Sequence, residues 1–408
     1  MQHRYTFKLL PVKLLLIGSL LLLSGCNTIE HRSEAVPKKA LPELAHRKSE
    51  PKVVWASTDG SGVAGRDAKL NLAVTPAYVV SADAKGDLRA QDRQTGKQVW
   101  RVQTQAPISS GPTVLQDVIL LGTRDAYVLA YHLKDGKLLW QTQVTGEVLA
   151  APKGNNNVVY VNTLDGSLTA LNLSNGKQLW RYNLHSPSIV LRQNSSPVLT
   201  PSHVIAGFAN GRLVALNRKD GMIDWEHEMS APRGRSDIQR MGDISGDPAV
   251  ANGVIYAVSY QGRLAALSLN NGSPLWEKNM SSYSGVTLGG QSVFVADTRG
   301  HLWNIDRRSG RTLWEQSMLE GRRLTKPVIC GNMIIVGDND GYLHWFSLLD
   351  GSYLNRVQID KKGIDSAPVL ADNKLYTLSR GGRIAVYSLD ALTAISTSQP
   401  VDKAEKAQ

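Results

Sequence analysis

Through most of the chain, apolar and polar positions alternate in short runs broken by glycine-centred turns. The runs are too short and too regular in their period of two to be helices, so they predict half-buried β-strands. In "KGDLRAQDRQTGKQVW" (85–100) and "LDGSLTALNLSNGKQLW" (164–180) the pattern is a turn glycine, an alternating strand, a second turn, then Gly-x-x-x-Trp. In the second of these copies the spacing predicts strands near 149–153, 158–163, 167–173 and 177–183.

The pattern repeats. The first turn glycine recurs at Gly86, Gly166, Gly211, Gly262, Gly300, Gly341 and Gly382, with Ala126 at the remaining step. A second glycine follows the first seven of these eight positions, at Gly96, Gly136, Gly176, Gly221, Gly272, Gly310 and Gly351. Four positions later stand Trp100, Trp140, Trp180, Trp225, Trp276 and Trp314, with Asn355 in the seventh copy. A four-stranded unit of about 40 to 45 residues is the signature of a propeller blade. The chain is therefore expected to be all-β: an eight-bladed β-propeller of four-stranded antiparallel blades over residues 52–396. The tryptophans would pack between neighbouring blades.

The eighth copy holds Ser396 at the tryptophan position, and "PKVVWAS" (51–57) carries the otherwise unassigned Trp55. Residues 52–57 are expected to supply the outer strand of the last blade. Joining the two ends of the chain in one blade covers a sheet edge that would otherwise stay open. Trp303 and Trp345 lie off the repeat position and are expected in the core.

The start of the chain departs from this pattern. Arg4, Lys8 and Lys13 precede the apolar run Leu14–Leu23, which is shorter than the roughly 20 residues a membrane-spanning helix needs. A basic region, a short apolar run and small residues describe a signal peptide over 1–25. Its end, Leu23-Ser24-Gly25-Cys26, is similar to a bacterial lipobox, which implies acylation at Cys26 and a membrane anchor. Asn27 in place of an aspartate favours the outer membrane. Residues 26–51 are poor in apolar side chains and rich in charge and proline, and read as a flexible tether. Residues 397–408 form a polar tail.

Charge and chemistry narrow the function. Removing the signal peptide takes three positive charges from the formal +11, and the excess that remains forms no basic stripe, so nucleic acid is not an expected partner. The only other cysteine, Cys330, is expected to be a buried, inert thiol. The nine histidines have no metal-ligand spacing. "GDNDGYL" (337–343) is superficially calcium-like but coincides with the repeat's own turn. No nucleophile elbow or phosphate loop is present. No catalytic residue, metal or cofactor is expected.

Two glycine intervals, 45 and 51 residues, exceed the usual spacing of about 40, and they are consecutive. Both surpluses fall between the tryptophan strand and the next blade, on one face of the ring. They build an enlarged patch from "NLHSPSIVLRQNSS" (183–196) and "MSAPRGRSDIQRMGDISGD" (229–247). Ile189, Val190 and Leu191 beside Arg192 suit a protein-binding surface; packing down onto the blades is the alternative. Arg233, Arg235 and Arg240 with Asp237, Asp243 and Asp247 are either a solvated loop or the polar rim of the same site.

"AQDRQTGKQVW" (90–100) matches the Ala-x-Asp-x-x-x-Gly-x-x-x-Trp motif of pyrroloquinoline-quinone-type propellers, a structural motif with no quinone chemistry of its own. With the lipobox, the tether, "PSIVLR" (187–192), "DGYLHW" (340–345) and the loop 235–247, the whole mature chain resembles the BamB family of outer-membrane protein assembly factors. The resemblance implies a non-enzymatic, lipid-anchored scaffold subunit facing the periplasm. It would bind the periplasmic POTRA repeats of the central barrel subunit BamA and assist insertion of barrel clients, through edge pairing with their strands. The family's partner contacts map onto Ile189, Leu191, Arg192, Asp243 and Ser245. At Ser245 many members carry an acid, and Asp247 is the nearest acidic substitute. Two other classes stay open: a small quinoprotein dehydrogenase and a glycan-binding propeller.

Overall fold

The structure is a computed structural model that describes residues 36–43, 51–58, 60–65, 68–184, 191–192, 194–230 and 242–389. Cys26, the tail and the end of the eighth copy lie outside these residues. Regular structure among the described residues consists of strands, arranged as eight antiparallel sheets in a propeller.

The third blade shows how the pattern becomes structure. Its strands are Lys153–Asn155, Val158–Asn162, Ser167–Asn172 and Gln178–Asn183, running from the inside of the ring outward. The innermost strand begins at Lys153, not near 149 as the alternation suggested. Val148 to Ala151 are buried but outside the ladder: the Val148 carbonyl accepts hydrogen bonds from Ser109 and Ser110 Oγ instead (both 2.7 Å). Apolar content there marks burial, which the alternation cannot distinguish from strand pairing. The two middle strands are buried on both faces, whereas the outer strand alternates.

Closure follows the sequence expectation. Lys52–Ser57 pairs antiparallel with Ile384–Ser388, completing a sheet with Lys374–Leu378 and Val369–Ala371. The connection after it adds a feature the alternation does not signal. Lys69–Leu70 pairs parallel with Ser110 and Gly111, making the second blade five-stranded.

The core is divided among the junctions between blades. Tyr160, Leu168 and Trp180 of the third blade pack with Val204, Phe208 and Leu216 of the fourth, and equivalent clusters recur around the ring. Each repeat tryptophan makes the same two contacts with the following blade. Its indole N–H donates to a backbone carbonyl just past the third strand: Trp55 to Arg93 (3.0 Å), Trp100 to Leu133 (3.0 Å), Trp140 to Leu173 (2.7 Å) and Trp180 to Arg218 (3.1 Å). Trp225, Trp276 and Trp314 do the same to Leu269, Arg307 and Leu348. The ring meanwhile lies on the second-turn glycine of that blade. A Cβ on Gly221 would sit 2.5 Å from Trp180 Cε3, and Gly221 has a φ of +75°. Glycine is required there twice over, for backbone conformation and for contact.

The seventh junction differs. Asn355 holds the tryptophan position, and the space is filled from within the seventh blade by Trp345, fully buried among Ile335, Leu375 and Tyr387. Cys330 lies in the same cluster, and burial pushes its thiol pKa up, which suppresses the reactive thiolate. Trp303 is only partly buried, with its indole N–H on Asp297 (3.1 Å) and Lys278 over its ring.

On every outer strand the residue before the tryptophan, or before Asn355, is bulged out of the ladder. This leaves Val54, Val99, Leu139, Leu179, Leu275 and Leu313 exposed. A bulge twists and interrupts an edge strand, so the rims do not offer a continuous ladder.

Part of the expected tether is docked. The N–H of Lys39 donates to the Glu320 carbonyl (3.0 Å), and Arg356 donates to the Pro42 carbonyl (2.6 Å). Lys38 pairs with Asp340 (2.6 Å) and Lys39 with Glu320 (2.7 Å), while Leu41 packs on the cluster between blades six and seven. Gly321 (φ +80°) lets Pro37 and Lys38 approach its backbone.

Gly221→Ala is expected to destabilise the ring by more than about 2 kcal/mol, through strained backbone and overpacking against Trp180; thermal unfolding measures it. Deleting residues 52–57 should lower the unfolding temperature of the whole propeller, because it opens the ring and removes Trp55 from Gly96.

Candidate functional site

The two long connections are tied together below their tips. Residues 185–190, which include Ile189, and 231–241, which include Arg233, Arg235, Asp237 and Arg240, lie outside the described residues. Ser230 Oγ donates to the Gly242 carbonyl (2.9 Å), closing the base of the second connection. Ile244, buried, packs over Gly207, where a side chain would collide with it. The N–H of Leu191 donates to Asp243 Oδ2 (2.6 Å) and the N–H of Ser196 to Asp247 Oδ1 (2.7 Å). The two connections therefore share two hydrogen bonds, each to a carboxylate of the second.

A third segment joins them. Lys69, carried inward by its short parallel pairing, donates from Nζ to the carbonyls of Asn194 and Ser245 (both 3.2 Å) and to Asp247 Oδ1 (3.1 Å). The glycine spacing could not reveal Lys69, because its connection precedes the first repeat glycine. The separation of residue 57 from the first blade was the available signal. Glu147, in the connection before the third blade, was missed too; it receives the Arg192 guanidinium.

The site residues fall into two groups. Leu191 is half-buried, and Arg192 is exposed, in a left-handed conformation with φ +52°. Asp243 and Ser245 are buried, below the surface that a partner could touch. Neither Asp243 Oδ1 nor Ser245 Oγ has a hydrogen-bond partner among the described residues. Burial pushes the Asp243 carboxyl up to about 6, against the opposing effect of the Leu191 N–H. Asp247 goes the other way. Burial disfavours its charge, but Lys69, Lys326 and Lys153 together with the Ser196 N–H outweigh that and bring it down to about 2. In the calcium-like stretch, Asp338 Oδ1 accepts the N–H groups of Asp340 (3.0 Å) and Tyr342 (2.8 Å), while Oδ2 takes Arg322 (2.7 Å) and His344 (3.0 Å). Its oxygens are committed to the turn and the core.

Eight blades, each built on four antiparallel strands and interlocked at seven junctions by tryptophan on glycine, define a pyrroloquinoline-quinone-type propeller whose distinctive feature is a pair of joined connections on one face. A sequence model described as outer membrane protein assembly factor BamB matches residues 84–316. The chain is 41% identical to the BamB of Alkalilimnicola ehrlichii over 378 residues, 92% of this chain and 96% of that one. The crystal structure of BamB from Moraxella catarrhalis superposes with a TM-score of 0.76 at 26% identity, covering 83% of this chain and all of that one. Quinohemoprotein alcohol dehydrogenase from Comamonas testosteroni superposes with a TM-score of 0.66 over 88% of this chain and 78% of that one, but at 13% identity, a likeness of fold alone. The chain belongs to the BamB family of outer membrane protein assembly factors.

The raised pKa of Asp243 has a signed consequence. A carboxyl that holds its proton more tightly folded than unfolded costs stability once pH rises above its unfolded value near 3.8, and the cost is complete above about 6. Asp243→Asn keeps an acceptor for the Leu191 N–H without the buried charge. At pH 7 it should unfold at a higher temperature than the parent chain, with the difference shrinking as pH falls from 6 to 4. Calorimetry across that range checks it. Asp247 has the opposite sign, and its contribution is lost only below about pH 4.

Proposed function

We propose that this chain is a non-enzymatic scaffold subunit of the machinery that assembles β-barrel proteins in the outer membrane, anchored by lipid at Cys26 and facing the periplasm. Leu191 and Arg192, with Ile189, form the contact surface for the POTRA repeats of BamA. Family membership supports the assembly role, and the observation that carries the site is the hydrogen bond from the Leu191 backbone to buried Asp243. A charge-bearing group is kept in an unfavourable place to hold the half-buried Leu191 and the exposed Arg192, a stability cost characteristic of functional sites. Asp243 and Ser245 then act from beneath as positioning residues, while apolar and guanidinium surface is presented above them.

The quinoprotein alternative has only the shared fold in its favour. The adjacent cysteines of the large quinoprotein dehydrogenases have no counterpart in a chain whose two cysteines are Cys26 and Cys330.

Replacing Leu191 and Arg192 together with alanine should leave thermal unfolding nearly unchanged and reduce recovery of BamA with the lipoprotein by about tenfold or more. Co-purification from detergent-solubilised envelopes, with a photo-crosslinker at Leu191 to identify the neighbour, measures this. Undiminished recovery would remove these residues from the interface.

A further inference from the structure

The joined connections also wall a cavity of about 310 Å³ on the axis of the ring. Its lining is strongly basic. Lys69, Lys153 and Lys326 surround Asp247, and Arg192, Arg323 and Arg380 stand around them, with Asp365 as the only other acid among the described lining residues. Much of this charge is already committed. Lys69 pairs with Asp247 (3.1 Å), Arg380 with Asp365 (2.8 Å) and Arg192 with Glu147, and the Arg323 guanidinium lies 4.8 Å over the Tyr283 ring.

Two ammonium groups are left over. Among the described residues, neither Lys153 nor Lys326 has an ion pair or a hydrogen bond from its side chain, although both lie close enough to Asp247 to hold it ionised. Lys326 is crowded further: burial, and then Lys69 and Lys153, lower its affinity for a proton despite the attraction of Asp247. Leu149, Leu324 and Ile364 form apolar wall nearby, which weakens the screening of charge by water.

We infer that this cavity binds a small multivalent oxyanion, one molecule carrying at least two phosphate or carboxylate groups. Two unpaired ammonium groups ask for two negative charges, and a lysine binds such groups as a mobile point charge without needing a fixed fork geometry. The volume is at the lower end of that of small-molecule sites, roomier than one phosphate requires. The apolar wall accommodates the carbon skeleton or bridging atoms between the charged groups. Arg192 borders both this cavity and the Leu191–Arg192 surface, but the inference rests on Lys153 and Lys326 and does not depend on the identity of the partner there.

The test is calorimetric titration of the full-length lipoprotein in detergent with pyrophosphate, citrate and hexa-aspartate. Lys153→Met and Lys326→Met are compared with Lys137→Met, an exposed turn lysine far from the cavity. Saturable binding of one pyrophosphate or one citrate is expected, weakened about tenfold by each cavity substitution and unaffected by Lys137→Met. Which of the two binds tighter separates a phosphate from a carboxylate ligand. The inference is overturned if neither binds, if the cavity variants bind as well as the parent, or if hexa-aspartate alone binds, which would give the cavity to an acidic polypeptide. Unchanged unfolding temperatures, expected because Lys69 still pairs with Asp247, show that lost binding is not lost folding.

Discussion

A ring of separate sheets is only as secure as its junctions, and in this protein all but one of the junctions rest on one interaction: an indole laid on the glycine of the next blade. The tryptophan buries a large apolar surface, worth about 2 kcal/mol or more, and its N–H caps a carbonyl that would otherwise be lost from water. The glycine makes both possible by presenting bare backbone. Because seven junctions use this lock and the first of them joins the two ends of the chain, opening one place costs the cooperativity of the rest. The remaining junction, between the seventh and eighth blades, is held differently, by Trp345 within a larger apolar cluster.

Rigid junctions free the connections from structural duty. In the turns between second and third strands, short polar side chains cap backbone N–H groups, carboxylates at Asp83, Asp297 and Asp338 and hydroxyls at Thr123, Ser259 and Ser379. The connections between blades vary in length and carry the unusual chemistry. Asp243 and Asp247 sit close in sequence, yet their carboxyls lie on opposite sides of the ordinary value, about 6 and about 2. The first has only backbone donors against burial; the second has three lysines. One strut is costly and one is stabilising, and both fasten the first long connection to the second.

The architecture was legible because it is local and repeated. Turn glycines, alternating strands and one tryptophan per unit each report on nearby residues, and their spacing counted the blades. Residues 52–57 could be placed because Trp55 was surplus to the count. What escaped depends on distance across the ring. Nothing near Lys69 in sequence indicates that its ammonium reaches Ser245 and Asp247. The burial of Asp243 was hidden as well, since a loop acid looks the same whether it faces solvent or lies beneath another loop. The inner strand of the third blade was misplaced because Val148 to Ala151 are apolar for burial beside the axis.

Proline and charge made residues 26–51 look like free chain, yet Pro37 to Glu43 are held by the ion pairs of Lys38 and Lys39 and by Arg356 on the Pro42 carbonyl. With Cys26 as the proposed point of attachment, this moves the effective end of the leash. Only residues 27–36 remain between the lipid and the first docked residue, a span of about 35 Å at full extension. The docked stretch crosses the connection and turn of the face that also carries the two long loops. On that attachment the leash leaves from the face that carries the two long loops, and its first docked residue stays within about 35 Å of the lipid.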